Sequence, residues 1–246
     1  MDIKNPHYTT NENNLIIYTK NYYQKENLRI KKIEKPPLSK STIQPPRKPN
    51  MENPECQKPM ETQENCQMGS FQLYKKLSYQ RPSLLTSRFS TATWVENQSF
   101  RKRNQKIGCI YCTPEPVSKQ IPLDGIMFIL EMNNDINKIM GIGMVRNHAV
   151  CGKYSVYENG NYNRYVYVGK NYISRENMTE YEEKIMKFFD TICFTGNYHM
   201  KRGQGLRCFP LEILYMSSKK IDLVQCIREM FKRRIQQKKE IQCEKI

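Results

Sequence analysis

The sequence predicts an α+β fold, a mostly antiparallel curved sheet with C-terminal helices, preceded by a long basic arm. Three observations carry this. Ile126-Met127-Phe128-Ile129-Leu130 is an unbroken apolar run after Leu123-Asp124-Gly125, the pattern of a buried strand. Ile139 to Val145 is a second such run, reached through the turn formers Asn133-Asn134-Asp135. Beyond Thr179 the apolar spacing changes to three and four residues, which is the helical repeat.

The elements follow in order. Residues 1–70 read as a disordered, proline-rich basic arm. Eight of the 13 prolines fall in 1–60, and Lys35 to Pro54 is too proline-rich for helix or central strand. Residues 71–106 read as a second, partly ordered basic arm, with Phe71, Leu77, Phe89 and Trp94 as apolar anchors and Arg101, Lys102, Arg103 and Lys106 as a closing cluster. The α+β domain is expected over 107–218. Within it, Tyr154–Tyr157 and Tyr165–Val168 alternate on either side of Asn159-Gly160-Asn161 and predict a hairpin. Thr179 and Glu182 form a capping-box pattern that opens a helix with Ile185, Phe188 and Ile192 on one face. Pro210 opens a short helix over Leu211 to Met216. Residues 219–246 read as a basic amphipathic C-terminal helix starting near Ser218, with Ile221, Val224, Ile227, Phe231 and Ile235 as its stripe.

Charge and composition bound the function. Only 38% of the chain is hydrophobic, too little for one core over all 246 residues. The net charge is +16, and it is unevenly placed. Lys and Arg outnumber Asp and Glu by 11 to 6 in 1–60, 8 to 3 in 61–106 and 9 to 4 in 219–246, but only by 12 to 11 in 107–218. Basic flanks on a neutral centre suit a polyanion, because cations release counterions condensed on phosphates. No stretch approaches the roughly 20 apolar residues of a membrane span, so no membrane partner is expected. No secretory signal is expected from MDIKNPHYTT. Nine cysteines at irregular spacing fit reduced thiols, hence a cytoplasmic or nuclear setting.

The most site-like stretch is the loop His199-Met200-Lys201-Arg202-Gly203-Gln204-Gly205-Leu206-Arg207. Its glycines permit close backbone approach and its cations suit phosphate, so His199, Lys201, Arg202 and Arg207 are expected to bind nucleic acid. An ordinary solvated loop has the same composition. Tyr165 and Tyr167 are candidates for stacking on bases, against the alternative that tyrosines simply fill a sheet. Lys232, Arg233 and Lys239 form a cationic strip on the last helix and are also expected to bind nucleic acid. Cys109 and Cys112 form a lone CxxC; with no second pair, no metal site and no cofactor are expected. The three histidines are scattered, and the G-x-S-x-G, HExxH and Walker patterns are missing, so no enzyme is expected.

The segment GIMFILEMNNDINKIMGIGMVRN resembles the PUA-like barrels, particularly the EVE and YTH branch, over about 125–215. That resemblance implies a barrel that binds RNA or a modified nucleobase in an aromatic pocket. The chain's Lys-, Asn-, Ile- and Tyr-rich style, with YNRYVYVGK and HMKRGQGLRCFPLEILY, is also similar to uncharacterised proteins of large nucleocytoplasmic DNA viruses. The expected function is a non-catalytic nucleic-acid-binding module, RNA or DNA, in a viral context. The alternative is a virion or minor capsid-associated protein whose N-terminal arm ties subunits together, with viral structural proteins as partners and the virion as location.

Overall fold

The computed structural model describes residues 69–243. The arm expected over 1–70 therefore lies almost wholly outside the described residues, and with it any role in tying subunits. The elements run α1 (Ser70–Ser78), β1 (Ser83–Phe89), α2 (Thr91–Arg103), β2 (Cys109–Thr113), β3 (Ile126–Asn133), β4 (Lys138–Arg146), β5 (Tyr165–Gly169), β6 (Asn171–Ser174), α3 (Glu180–Phe194), β7 (Leu206–Cys208), α4 (Leu211–Ser218) and α5 (Leu223–Cys243). The fold is α+β. Five strands form one sheet in the order β6-β4-β3-β1-β7, antiparallel except for β1 beside β3. β2 and β5 form a separate antiparallel ladder.

The expected strands over the two apolar runs are present as β3 and β4. Both faces of β3 are covered, which explains an apolar run rather than alternation. Phe128, Leu130 and Met132 enter a core shared with α3, α4 and α5, while Met127 and Ile129 enter a second core shared with α2 and the β2–β5 ladder. The capping box of α3 is present: Thr179 Oγ1 accepts from the Glu182 N–H, and Glu182 Oε2 accepts from the Thr179 N–H at 3.0 Å.

Three expectations need correction. Residues 71–106 are not an arm laid on the domain. Their strand β1 sits inside the sheet, between β3 and β7, with Leu84 on one core and Leu85 on the other. Tyr154–Tyr157 is not a hairpin strand either. The Asn163 side chain accepts from the Val156 and Tyr157 N–H groups, holding that segment as a turn, and β5 pairs with β2 instead. The last helix begins at Leu223 rather than near Ser218, because Asp222 accepts from the Gln225 N–H at 3.0 Å and caps it there.

The second core holds a polar network. Glu131 is fully buried and accepts from the Arg101 guanidinium and from the Tyr111 hydroxyl, the latter at 2.7 Å. Arg101 also lies 4.4 Å over the Tyr172 ring. Nearby, Asn97 donates to the Ile110 carbonyl and to the Tyr157 hydroxyl.

Candidate nucleic-acid interface

The loop between α3 and β7 is held by the sheet from below. Met200 donates to the Cys193 carbonyl at 2.7 Å, which closes the turn after α3. Arg88, near the end of β1, donates from Nε to the Met200 carbonyl at 2.5 Å. Asn134, after β3, donates to the Lys201 carbonyl at 3.1 Å. Gly203 and Gly205 carry φ of +99° and +63°, a region that side chains avoid. A Cβ at Gly205 would also run into the Thr113 side chain of β2, so glycine lets the loop lie directly on that strand.

Arg88 and Arg207 meet beside Gly203. A Cβ there would lie 3.6 Å from Arg207 Nε and 4.0 Å from Arg88 Cζ. Among the described residues neither guanidinium is paired with a carboxylate. Arg88 Nη1 is buried and makes no hydrogen bond to them. Burial, and then the positive charge of Arg207, push the Arg88 pKa down. Two cations thus sit together where an anion between them would relieve both the repulsion and the unused donor.

A cavity of about 250 Å³ opens beside this pair. Partly exposed Tyr162 supplies its open aromatic surface, with the buried Tyr157 and Phe89 behind it, and Gly203, Gln204 and Gly205 form a wall shared with the cationic loop. The Tyr157 and Tyr162 rings stand edge to face at 6.4 Å. The volume falls below the roughly 300 Å³ at which drug-sized sites begin, which suits one small planar group.

The expected site residues are distributed unequally. Arg202 on the loop and Arg207 on β7 are both exposed, as a phosphate contact requires. Lys201 is there too, but its Nζ donates to Asn137 at 2.8 Å and braces the β3–β4 turn. His199 accepts from the Lys201 N–H at 3.3 Å through Nδ1, so it shapes the loop. Tyr167 is a correction: its ring is 1% exposed and its hydroxyl accepts from the Val117 N–H, so no face is open to a base. Tyr165 is half-buried against the same core. Arg233 pairs with buried Glu182 at 3.0 Å. Lys232 and Lys239 border a groove beside Ile126, at the opposite end of β3 from Asn133, about 23 Å along the strand. The last helix therefore carries its cations apart from the loop.

Cys109 and Cys112 are both buried, three residues apart on β2 and hence on opposite faces of the strand. Burial pushes each thiol up to about 12. Tyr157 and Tyr162 belong to the same tyrosine-rich stretch that suggests base stacking, though the sequence reading favours Tyr165 and Tyr167 there, and it does not single out Arg88. The one signal for Arg88 was a lone cation in the apolar stretch Ser83-Leu84-Leu85-Thr86-Ser87-Arg88-Phe89. No helix among the described residues is long and apolar enough to cross a membrane. No family model and no curated protein matches the chain.

Proposed function

We propose that the protein is a non-catalytic nucleic-acid-binding module that grips a phosphate between Arg88 and Arg207 and takes an adjacent unstacked base into the neighbouring aromatic cavity. The observation that carries this reading is the unneutralised arginine pair sharing Gly203 with a one-base-sized aromatic pocket. A single nucleotide unites these two chemistries, an anion and a planar ring. Single strands present such bases without the cost of opening a duplex. Arg202, exposed next to the pair, adds a second phosphate contact.

The PUA-like reading belongs to the same proposal. Cys109 on β2 reaches the Asn171 carbonyl at 3.3 Å, and a Cβ at Gly169 would meet the Met144 carbonyl, so the β2–β5 ladder lies against β4 and β6 of the larger sheet. That apposition supports a curved, barrel-like arrangement. The viral context rests on the resemblance in composition alone.

The test is fluorescence anisotropy with labelled single-stranded RNA and DNA across a salt series. Log K should fall linearly with log salt, by about 0.7 per neutralised phosphate on single strands. Arg207→Gln with Arg202→Gln should flatten that slope by roughly one to one and a half. Tyr162→Ala should weaken binding while leaving the slope as it was, since stacking is not a counterion effect. Absence of binding to either strand at low salt, or an unchanged slope in the double variant, overturns the proposal.

A further inference from the structure

A second concavity lies at the other end of the sheet and has a different character. It is a groove of about 520 Å³ between α5 and the first residues of β3. Phe128 and Phe231, both buried and stacked at 5.3 Å with 4° between the rings, lie beneath it and present only their edges. Ile126, Met144 and Ile235, all half-buried, are its walls. The rim is cationic: Arg228, Lys232 and Lys239 are exposed along it, and among the described residues no carboxylate lines the groove. Lys232 has a weak partner, Glu229 at 3.8 Å on its own helix. Arg228 and Lys239 have none among the described residues.

The shape selects a kind of ligand. Positions 228, 231, 235 and 239 recur at three- and four-residue steps down one face of α5, so the groove is elongated, about 16 Å along the helix. That length matches roughly three turns of a second helix. Strand addition is not available there, because β3 is already paired on both sides. An apolar floor disfavours a nucleic-acid backbone, which needs polar partners along its whole length. A cationic rim on an apolar trough is complementary to a helix with one apolar face and acidic flanks.

We infer that this groove docks an acidic amphipathic helix of a partner protein, laid along α5 over Phe128 and Phe231. The inference goes beyond the nucleic-acid reading and does not depend on it, since the two sites share no residue. This chain's own segment 51–68 has Glu52, Glu55, Glu61 and Glu64 against Lys58, but it carries no aromatic or β-branched aliphatic side chain to fill the trough.

The test uses the full chain and a labelled synthetic 16-residue helix with leucines on one face and glutamates elsewhere. Saturable binding is expected, at least tenfold tighter than that of the same peptide with lysine for glutamate and of a scrambled peptide of identical composition. Arg228→Glu with Lys232→Glu and Lys239→Glu changes only exposed positions, and should reverse the preference between the acidic and basic peptides. Equal binding of both peptides, or an unchanged preference in the triple variant, overturns the inference. So does competition of the acidic peptide by a 51–68 peptide with equal strength, which would make the groove self-covered. Binding to anionic phospholipid vesicles in place of the peptide also overturns it, and assigns the face to a membrane surface.

Discussion

Arg101 donates its guanidinium to Glu131 in the interior of the protein, where both side chains are almost fully hidden from water. Burial works against the charge on Arg101, but the Glu131 carboxylate together with Tyr111 and Tyr172 outweighs it and raises the arginine pKa. Removing either partner strands the other, at a cost of about 3–5 kcal/mol. Arg101→Met and Glu131→Gln should each show that loss in denaturant unfolding. The double change Arg101→Met, Glu131→Leu should be markedly less destabilised than the sum of the two losses.

Gly143 makes room for this network. A Cβ at that position would collide with the Tyr111 ring and hydroxyl, the same hydroxyl that donates to Glu131. Gly143→Ala should destabilise by roughly 1–3 kcal/mol, the usual range for overpacking. Tyr111→Phe in the same background should not restore it, because the ring carbons also lie within the collision.

Phe231 is 3% exposed and stacks on Phe128. Phe231→Ala should cost about 3–5 kcal/mol by thermal or denaturant unfolding. Replacing exposed Lys232 and Lys239 by Gln should change stability by less than about 0.5 kcal/mol. An unaltered melting temperature in Phe231→Ala would show that α5 does not close the core.

Glu182 ties α5 to α3, accepting from Arg233 and Arg234 and from the Thr179 N–H. Burial opposes its charge, yet the Arg234 hydrogen bonds and the cap hold its pKa below the ordinary 4.5. A depressed carboxylate contributes stability that is complete above its unfolded value and disappears as pH falls through the folded one. Stability should therefore drop as pH is lowered below about 4.5. Glu182→Gln should lose roughly 1–3 kcal/mol at neutral pH and show a shallower acid decline.

The thiols should separate by reactivity. Only the thiolate alkylates, and burial raises the pKa of Cys109, Cys112 and Cys193. Iodoacetamide on the native protein at pH 8 should modify exposed Cys151 and Cys243 while sparing those three, as peptide mass mapping would read. Rapid labelling of Cys109 or Cys112 would contradict the burial of β2.

By itself the sequence determined what is local. The apolar runs of β3 and β4, the Thr179–Glu182 box and the helical stripe of α5 are written in neighbouring residues, because turn chemistry, capping and periodicity act over a few positions. It also marked the glycine-punctuated loop and the exposed Arg202 and Arg207. Only the tertiary structure decided which distant pieces meet. β1 carries no alternating pattern, since its two faces enter different cores, and its pairing with β3 joins Leu85 to Ile129 across the intervening α2 and β2. Tyr167 and Tyr157 are both tyrosines in one short stretch, yet the first is sealed in the core and the second lines a cavity, because β5 pairs with β2 and the Asn163 side chain turns the chain before it. The meeting of Arg88 with Arg207 has the same origin. It follows from β1 lying beside β7, a long-range pairing that no short-range pattern specifies, and it sets two cations against each other at the mouth of a pocket.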